Sequence, residues 1–274
     1  MPDLRSTPAV HDVRVLDRTE LAPGITLIGF YAPQLVAVTR PGQFVMAIPP
    51  SGNLASAALA IYEAEGDRAS LLFFVCGPRT RELAALAEEE KFSLTGPLGN
   101  GFALEGASNV AIVAGGVGIA SVLLAAQQLV ARGARVRLYY GARSEKYLVH
   151  AARFSEIGCA VSCATDDGSA GHHGFVTELL AATEDLPESI LACGPSPMLR
   201  ATAFVACELG VPAQLALEET MACGVGGCWG CVAPLDRASA QAPKFPGPDA
   251  GGSDVVFARV CKEGPVFWAH ELRW

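Results

Sequence analysis

VAIVAGGVGIASVLLAA, residues 110–126, is the stretch that decides the fold of this chain. It contains no charged side chain, and its apolar length is close to that of a membrane-spanning helix. Gly115, Gly116 and Gly118 interrupt the run in its middle, where a spanning helix would be continuous. The pattern therefore predicts a buried strand, a tight turn and a helix.

Strand-like and helical segments continue to alternate downstream of this stretch. The helical ASVLLAAQQLVARG is followed by the strand-like RVRLYYGA and later by ESILACGPSPMLRATAFVACELG. Such alternation is typical of a parallel sheet covered by helices. We expect this α/β domain to span residues 105–211.

The upstream residues 1–104 have a different character. Short segments such as ITLIGFY and QFVMAI have β-like alternation, and Pro-Gly pairs at 23–24 and 41–42 mark turns. Short strands at this spacing predict a small antiparallel β-barrel. The segment Arg79–Glu90 has helical spacing of leucines and is the one helix predicted in this domain.

Residues 212–274 form the third predicted domain. They contain a dense group of cysteines, CGVGGCWGC at 223–231. The segment Ala233–Asp254 is rich in Pro, Ala and Gly and predicts a loop.

The composition excludes several classes of function. The 274 residues are 51% hydrophobic, so the chain can bury a substantial core. The net charge of −8, with no basic stripe, makes nucleic acid an unexpected partner. Nine cysteines, mostly scattered in apolar contexts, do not suggest a disulfide framework, and the N-terminus lacks the apolar core of a signal peptide. We expect a cytoplasmic protein that does not enter a membrane.

The cysteine spacing points to a metal centre. Cys223, Cys228 and Cys231 form a C-x4-C-x2-C array, and Cys261 follows 30 positions later. This is the plant-type pattern of four thiolate ligands for a [2Fe-2S] cluster. A zinc site with four cysteines is the open alternative, although such sites usually have two C-x2-C pairs and this chain has one.

The glycine turn Ala114–Ser121, AGGVGIAS, stands between a predicted strand and a predicted helix. Backbone amides in that position can bind a pyrophosphate. The dinucleotide fingerprint also includes an acidic residue about 20 positions on, and RLYYGA occupies that place here. By itself the turn is equally compatible with a generic tight turn.

Motifs along nearly the whole chain resemble one family, the electron-transfer subunit of NAD-dependent dihydroorotate dehydrogenase, within the wider ferredoxin-reductase group. The motifs are PGQF (41–44), GPLGNGF (96–102), AGGVGIAS (114–121), YYGARS (139–144), TDDGSAGHHGFVT (165–177), ACGPSPM (192–198), LEETMACGVGGCWGC (217–231) and RVCKEGPVF (259–267). The resemblance implies a ferredoxin-reductase-like fold: an FAD-binding β-barrel, an NAD-binding α/β domain and a small C-terminal [2Fe-2S] domain.

The resemblance also implies which residues bind the cofactors, and it implies no catalytic acid or base. The expected flavin, nucleotide and cluster residues are Gly77, Arg79, Thr80, Gly96, Gly115, Gly116, Gly118, Cys193, Gly194, Pro195, Cys223, Cys228, Cys231 and Cys261. Of these, Cys193 to Pro195 would approach the nicotinamide, and the four remaining cysteines would hold the cluster.

The barrel departs from the family pattern. Where the family typically has Arg-Pro-x-Ser-Ile, this chain has Ala57-Ala58-Leu59-Ala60-Ile61. By resemblance, the missing arginine would pair with the FAD pyrophosphate and the missing serine would lie near the flavin ring. The loss of a charge-assisted phosphate contact is expected to weaken FAD binding by about 1.5–3 kcal/mol. We hypothesise that Arg79 in CGPRT partly replaces that arginine.

By resemblance, an FMN-containing catalytic subunit is the partner, and its electrons reach NAD through the cluster and FAD. Two alternatives stay open at this point. The chain could be a related reductase subunit that serves another redox partner, or a homologue without flavin that has a structural or regulatory role.

Overall fold

The computed structural model of the chain describes residues 8–52, 56–239 and 254–274. Its first part is a barrel of six strands: β1 (Ala9–Ala22), β2 (Ile25–Tyr31), β3 (Phe44–Ile48), β4 (Ala57–Glu65), β5 (Arg68–Phe74) and β6 (Lys91–Leu98). The strands are antiparallel, and the barrel closes in the order β1-β2-β5-β4-β3-β6. Alternate apolar residues such as Val13, Val15, Ile28 and Phe30 fill its interior. The predicted barrel is confirmed.

Two helices accompany the barrel. The single turn α1 (Pro33–Val36) was not predicted. The predicted helix Arg79–Glu90 is wrong in its extent, since α2 spans only Pro78–Ala84. Carboxylates are unfavourable at a helix C-terminus, and the acidic run 88–90 follows in a turn instead, in which Glu89 has a φ of 70°.

The second part is a seven-stranded sheet. The remaining strands of the chain are β7 (Asn109–Gly115), β8 (Arg135–Ala142), β9 (Ala160–Thr165), β10 (His172–His173), β11 (Ser189–Cys193), β12 (Ala213–Ala216), β13 (Val232–Asp236), β14 (Val255–Arg259) and β15 (Val266–Trp268). The sheet has the order β10-β9-β8-β7-β11-β12-β15, and its strands pair in parallel except β15. Its helices are α3 (Leu123–Ala131), α4 (Ala151–Glu156), α5 (Val176–Ala181) and α6 (Ser196–Leu209).

The stretch 110–126 adopts the predicted strand, turn and helix. Strand β7 is completely buried, residues 116–121 form a 3-10 helix, and α3 follows. Within the part of the chain that the structure describes, no helix has the length and apolarity needed to span a bilayer.

The C-terminal part is divided between two sheets. Strands β12 and β15 extend the parallel sheet, while β13 and β14 form a separate antiparallel hairpin. The predicted loop Ala233–Asp254 is therefore wrong at its start, because residues 233–236 belong to β13. There, buried Ala233 and Leu235 alternate with more exposed residues, as in a half-buried strand. Residues 240–253 of that predicted loop lie outside the described residues.

The barrel and the parallel sheet share one hydrophobic core. Tyr62 of β4 is fully buried in it, and its hydroxyl lies 2.6 Å from Nδ1 of His150, directly before α4. Beside this contact, Arg153 donates to Glu63 at 3.2 Å. These polar contacts fix the orientation of the two units because each joins a barrel strand to the start of α4.

We expect acid to weaken this contact. Burial, followed by the charge of Arg153, holds the pKa of His150 below its usual range, although Glu63 and Glu156 oppose the shift. The unfolded chain then binds a proton more readily than the folded chain, so stability is full above the usual histidine pKa and falls as the pH drops below it. His150→Gln should flatten the decline in Tm between about pH 7.5 and about pH 5.5. The exposed His173→Gln is the control, and an unchanged decline in His150→Gln would refute the prediction.

Candidate functional site

The site begins where the strand order of the parallel sheet reverses. The chain moves outward from β7 through β8 in one direction and from β11 through β12 in the other. A crevice therefore opens beyond the carboxyl ends of β7 and β11, the place where open α/β sheets bind ligands. The predicted turns Gly115–Gly118 and Cys193–Pro195 follow these two strands.

Two glycines let these turns touch. A Cβ on Gly118 would lie 2.3 Å from the carbonyl oxygen of Cys193, and one on Gly115 would lie 2.6 Å from Sδ of Met198. Both separations are shorter than the distance at which a Cβ and a non-bonded atom can lie side by side. The close approach of the β7 turn to the β11 turn therefore needs glycine at 118, where the clash is with backbone, while an alanine at 115 would have to displace the side chain of Met198 and crowd Pro195.

A cavity of about 580 Å³ lies along this edge of the sheet, and we call it the sheet-edge cavity. Its walls come from the glycine turn, from the loop after β8 and from the start of α6. They include Gly115, Gly116, Val117, Arg143, Tyr147, Asp166, Pro195 and Met198. The guanidinium of Arg143 and the ammonium of Lys146 lie 5.3 Å and 5.1 Å from the centre of the Tyr147 ring.

A second cavity, of about 500 Å³, lies between the barrel and the sheet, and we call it the barrel cavity. It is lined by Ala57–Ala60 of β4, by the turn Cys76–Thr80, by Ala120 and Ser121 at the end of the glycine turn, and by Leu217–Met221. Ala57 and Ala60, which replace the family arginine and serine, both line this cavity. The side chain of Ala57 is buried in the core inside the barrel, whereas Ala60 packs against the core shared with the sheet.

Glu218 lies in the wall between the two cavities and lines both. The buried thiol of Cys193 donates to Glu218 Oε1 at 3.7 Å. The carboxylate is open to the cavities but crowded by protein on its other sides, and this burial raises its pKa. Burial also raises the pKa of Cys193 well above its usual value, and the charge of Glu218 adds to the shift. Cys193 is therefore a neutral thiol.

Arg79 approaches the altered strand from the opposite wall. Its Nη1 donates to the carbonyl oxygen of Ser56 at 2.8 Å, immediately before Ala57. In the same turn, Thr80 Oγ1 accepts from the N–H groups of Cys76 and Gly77 at 3.1 Å and 3.2 Å. These hydrogen bonds fix the conformation of the turn. They place the guanidinium of Arg79 beside the position of the family arginine.

The four cluster cysteines lie in two pairs. The side chains of Cys223 and Cys228 are within hydrogen-bonding reach of each other, and so are those of Cys231 and Cys261. In residues 8–52, 56–239 and 254–274, no three Cys, His, Asp or Glu side chains converge on a point where one metal ion would bind. A two-iron cluster takes two thiolates at each iron, and four thiols in the C-x4-C-x2-C spacing with a distant fourth cysteine supply that donor set. The donor set fits the two-iron cluster.

Backbone N–H groups point at the sulfurs. The N–H of Cys228 donates to Cys223 Sγ, and the N–H of Cys261 donates to Cys231 Sγ, each at 3.4 Å. Burial alone would raise the pKa of Cys223, but donors led by the N–H groups of Cys228 and Val225 lower it to about 6. Burial and the neighbouring Cys231 raise the pKa of Cys261 to about 12. The thiol of Cys223 therefore loses its proton readily at neutral pH.

The chain was also compared with known proteins. Residues 112–203 match the oxidoreductase NAD-binding domain family. A relative from Caldanaerobacter subterraneus subsp. tengcongensis, the electron transfer subunit of dihydroorotate dehydrogenase B (NAD(+)), is 34% identical over 85% of this chain and 87% of its own length. The chain belongs to this family of electron transfer subunits. The corresponding subunit of Desulforamulus reducens is 32% identical over 97% of this chain and 98% of its own length.

A solved structure agrees with this assignment of the electron transfer subunit family. A chain of an NADH-dependent reduced ferredoxin-NADP oxidoreductase is 27% identical, with a TM-score of 0.82 over 96% of this chain and 90% of that chain. The predicted ferredoxin-reductase-like architecture of barrel and parallel sheet is confirmed.

The structure brings most of the predicted residues of the family site to the two cavities. Gly77, Arg79, Thr80 and Cys193 line the barrel cavity, while Gly115, Gly116 and Pro195 line the sheet-edge cavity. Gly118 and Gly194 are buried where the two turns touch. Gly96 lines neither cavity and lies in β6, where its carbonyl oxygen is 3.2 Å from Nε2 of His11.

Sequence reasoning missed several wall residues of this electron transfer subunit. Phe74, Val117 and Glu218 line both cavities, and Met198 supports the glycine turn. Val117, Met198 and Glu218 lie within the motifs AGGVGIAS, ACGPSPM and LEETMACGVGGCWGC, but the motifs assign no role to these side chains. Phe74 lies in none of the quoted motifs.

Proposed function

We propose that this chain passes electrons between an FMN-containing dihydroorotate dehydrogenase catalytic subunit and NAD, through a [2Fe-2S] cluster and FAD, in pyrimidine biosynthesis. One observation carries the proposal. The two cavities meet at Glu218, and the barrel cavity also adjoins the cysteine loop through Met221 and Pro265. Three redox sites therefore lie in series along one chain.

The sheet-edge cavity is the proposed site of NAD. It opens at the carboxyl ends of parallel strands beside a glycine turn, the arrangement that binds dinucleotides. Arg143 supplies a cation at one end, and Pro195 and Met198 close the wall near the glycine turn. Glu218 stands at the end that meets the barrel cavity, where the nicotinamide has to reach the flavin.

The barrel cavity is the proposed site of FAD. Its wall is largely apolar, with a locked turn and one arginine at one side, which suits a flat ring joined to a pyrophosphate. The small side chain of Ala60 in this wall leaves room for the flavin. The flavin, when bound, exchanges single electrons with the cluster and a hydride with nicotinamide.

The chain's own residues position the proposed nicotinamide and flavin rings relative to each other. Gly115 and Gly118 allow the two nucleotide turns to approach, and Glu218 and Cys193 occupy the junction at which the two reacting rings would meet. On the other side, Cys231 and Cys261 are buried while Cys228 is exposed. The exposed edge suits exchange of electrons with a partner subunit, and the buried pair faces the protein core.

The domain limits 1–104, 105–211 and 212–274 and the cytoplasmic location stay predictions. Strand β15, which follows the last cluster cysteine, joins the sheet of the NAD domain. We therefore propose that the cluster domain does not separate freely from the NAD domain.

The direct test is the content of flavin, iron and acid-labile sulfide per chain in protein purified without air. We expect about two irons, two sulfides and one FAD, with a visible spectrum that is bleached by NADH. Two irons without flavin would show that the barrel cavity does not bind FAD when alanines stand at residues 57 and 60. The chain would then be a structural or regulatory homologue that carries a cluster.

A second candidate is a reductase subunit for another partner, which the similarity to the ferredoxin-NADP oxidoreductase chain favours. The chain co-purified with an FMN-containing subunit should reduce NAD when given dihydroorotate. Reduction of ferredoxin by NADH without any response to dihydroorotate would favour this second candidate.

Removal of the Arg79 side chain should weaken FAD binding. We expect the FAD Kd of Arg79→Ala to rise by about one to two orders of magnitude, because a charge-assisted phosphate contact is lost. Fluorescence titration of apoprotein with FAD measures the Kd. Arg81→Ala removes an exposed arginine from the same helix and is the matched control. Unchanged FAD affinity in Arg79→Ala would show that Arg79 does not replace the family arginine.

A further inference from the structure

Tyr140 is a buried polar residue that the proposed electron path does not use. It lies in β8 with its side chain fully buried in the core that the barrel and the sheet share. The oxygen of its hydroxyl lies 3.1 Å from the carbonyl oxygen of Gly116 and 3.2 Å from that of Tyr147, and its one proton is shared between these two acceptors. Burial raises the pKa of the phenol, which therefore keeps its proton and remains a donor.

The two carbonyls belong to opposite parts of the sheet-edge cavity. Gly116 lies in the glycine turn after β7, and Tyr147 lies in the loop after β8, where its ring contacts Arg143 and Lys146. Gly116 and Tyr147 both line the cavity, whereas Tyr140 lies beneath it. One hydroxyl therefore joins the two loops from below.

This contact also sets the direction of an amide. In a trans peptide the C=O and the N–H point in opposite directions. Because the carbonyl of Gly116 points to Tyr140, the N–H of Val117 points the other way, toward the side on which the cavity lies. Gly116 itself has a φ of 52°, a left-handed conformation that benefits from such a restraint.

We propose that Tyr140 is a positioning residue that sets the spacing between the glycine turn and the loop after β8, two walls of the sheet-edge cavity. This inference rests on the proposed binding of NAD in the sheet-edge cavity. Without the hydroxyl, the carbonyls of Gly116 and Tyr147 lose the donor that they share, and this link between the two loops is removed. A dinucleotide spans both loops, so its affinity depends on their spacing.

The neighbouring residue supplies a matched control. Tyr139 is also buried in β8, but it faces the other core, and its hydroxyl donates to Thr183 at 3.1 Å. Thr183 follows α5 and precedes β11, so it lies at the opposite end of the sheet from the cavity. Tyr139→Phe and Tyr140→Phe each remove one buried hydroxyl from the same strand without changing the shape of the core.

The test measures the Kd of NADH and of ADP by calorimetry, together with Tm and NADH-dependent turnover. We expect both Kd values to rise about tenfold in Tyr140→Phe and less than about twofold in Tyr139→Phe, with similar losses in Tm. The KM for NADH should rise while kcat at saturating NADH stays within about twofold, since Tyr140 touches no reacting atom.

Each other outcome overturns a specific claim. Equal changes of Kd in the two variants, or a Tyr140→Phe variant that binds NADH and ADP like the wild type, would overturn the positioning role alone. A wild-type chain that does not bind NADH would overturn the proposed function and this inference with it.

Discussion

Replacing Cys261 with serine is expected to abolish cluster assembly and to reduce electron transfer from the partner subunit to NAD by at least about 100-fold. A hydroxyl is a poor substitute for a thiolate, and the thiol of Cys261 lies beside that of Cys231. Iron and sulfide per chain should fall close to zero. Reduction of bound flavin by NADH should persist, because the two cavities meet at Glu218 without the cluster.

Two further variants make this result specific. Cys261 is buried, so its replacement could also disturb the fold. Cys228 is exposed, so Cys228→Ser should remove the cluster without disturbing the fold. Cys207→Ser changes an exposed cysteine of α6 outside the cluster and should keep two irons per chain. Retention of both irons by the Cys261 and Cys228 variants would refute the assigned ligand set.

The second large effect is expected for Gly118→Ala. The added Cβ would lie 2.3 Å from the oxygen, 2.5 Å from the carbon of the Cys193 carbonyl, and 2.7 Å from the N of Gly194. These are backbone atoms, so the two nucleotide turns have to move apart. We expect a loss of stability of about 1–3 kcal/mol and NADH binding at least about 30-fold weaker.

A variant of a second glycine separates an effect on stability from an effect on NADH binding. Gly210 ends α6 with a φ of 67°, and a Cβ there would meet no atom within 4 Å. Gly210→Ala should therefore lower Tm through backbone strain of about 1–2 kcal/mol while NADH affinity stays at the wild-type value. Calorimetric titration with NADH measures both variants. Wild-type affinity in Gly118→Ala would show that the close approach of the turns is not required for the nucleotide.

The strand, turn and helix at 110–126 were predictable because local spacing carries the information, and the predicted cluster ligands rest on local spacing in the same way. The interval C-x4-C-x2-C limits how sulfurs can be arranged on a wrapped loop, and three glycines in an apolar run break a helix at a defined place. The length of α2 was less predictable, because leucine spacing continued past Ala84 while the acidic residues after it favoured a turn.

Local sequence patterns do not predict which strands pair with partners far away in the chain. Val266–Trp268 gives no local indication that it joins the parallel sheet, and Ala233–Asp236 becomes a strand only because β14 offers it a partner. The same holds for Arg79, whose contact with Ser56 depends on how the barrel closes.

The sequence by itself determined the class of protein and the order of barrel before parallel sheet, and its cysteine spacing predicts four sulfur ligands, since these follow from composition and from spacings of a few residues. Only the tertiary structure decided that the two cavities meet at Glu218, that the cysteines pair two and two, and that Tyr140 lies beneath both nucleotide loops. These features join residues far apart in the chain. Their geometry is set by packing of the barrel against the sheet, which no local pattern encodes.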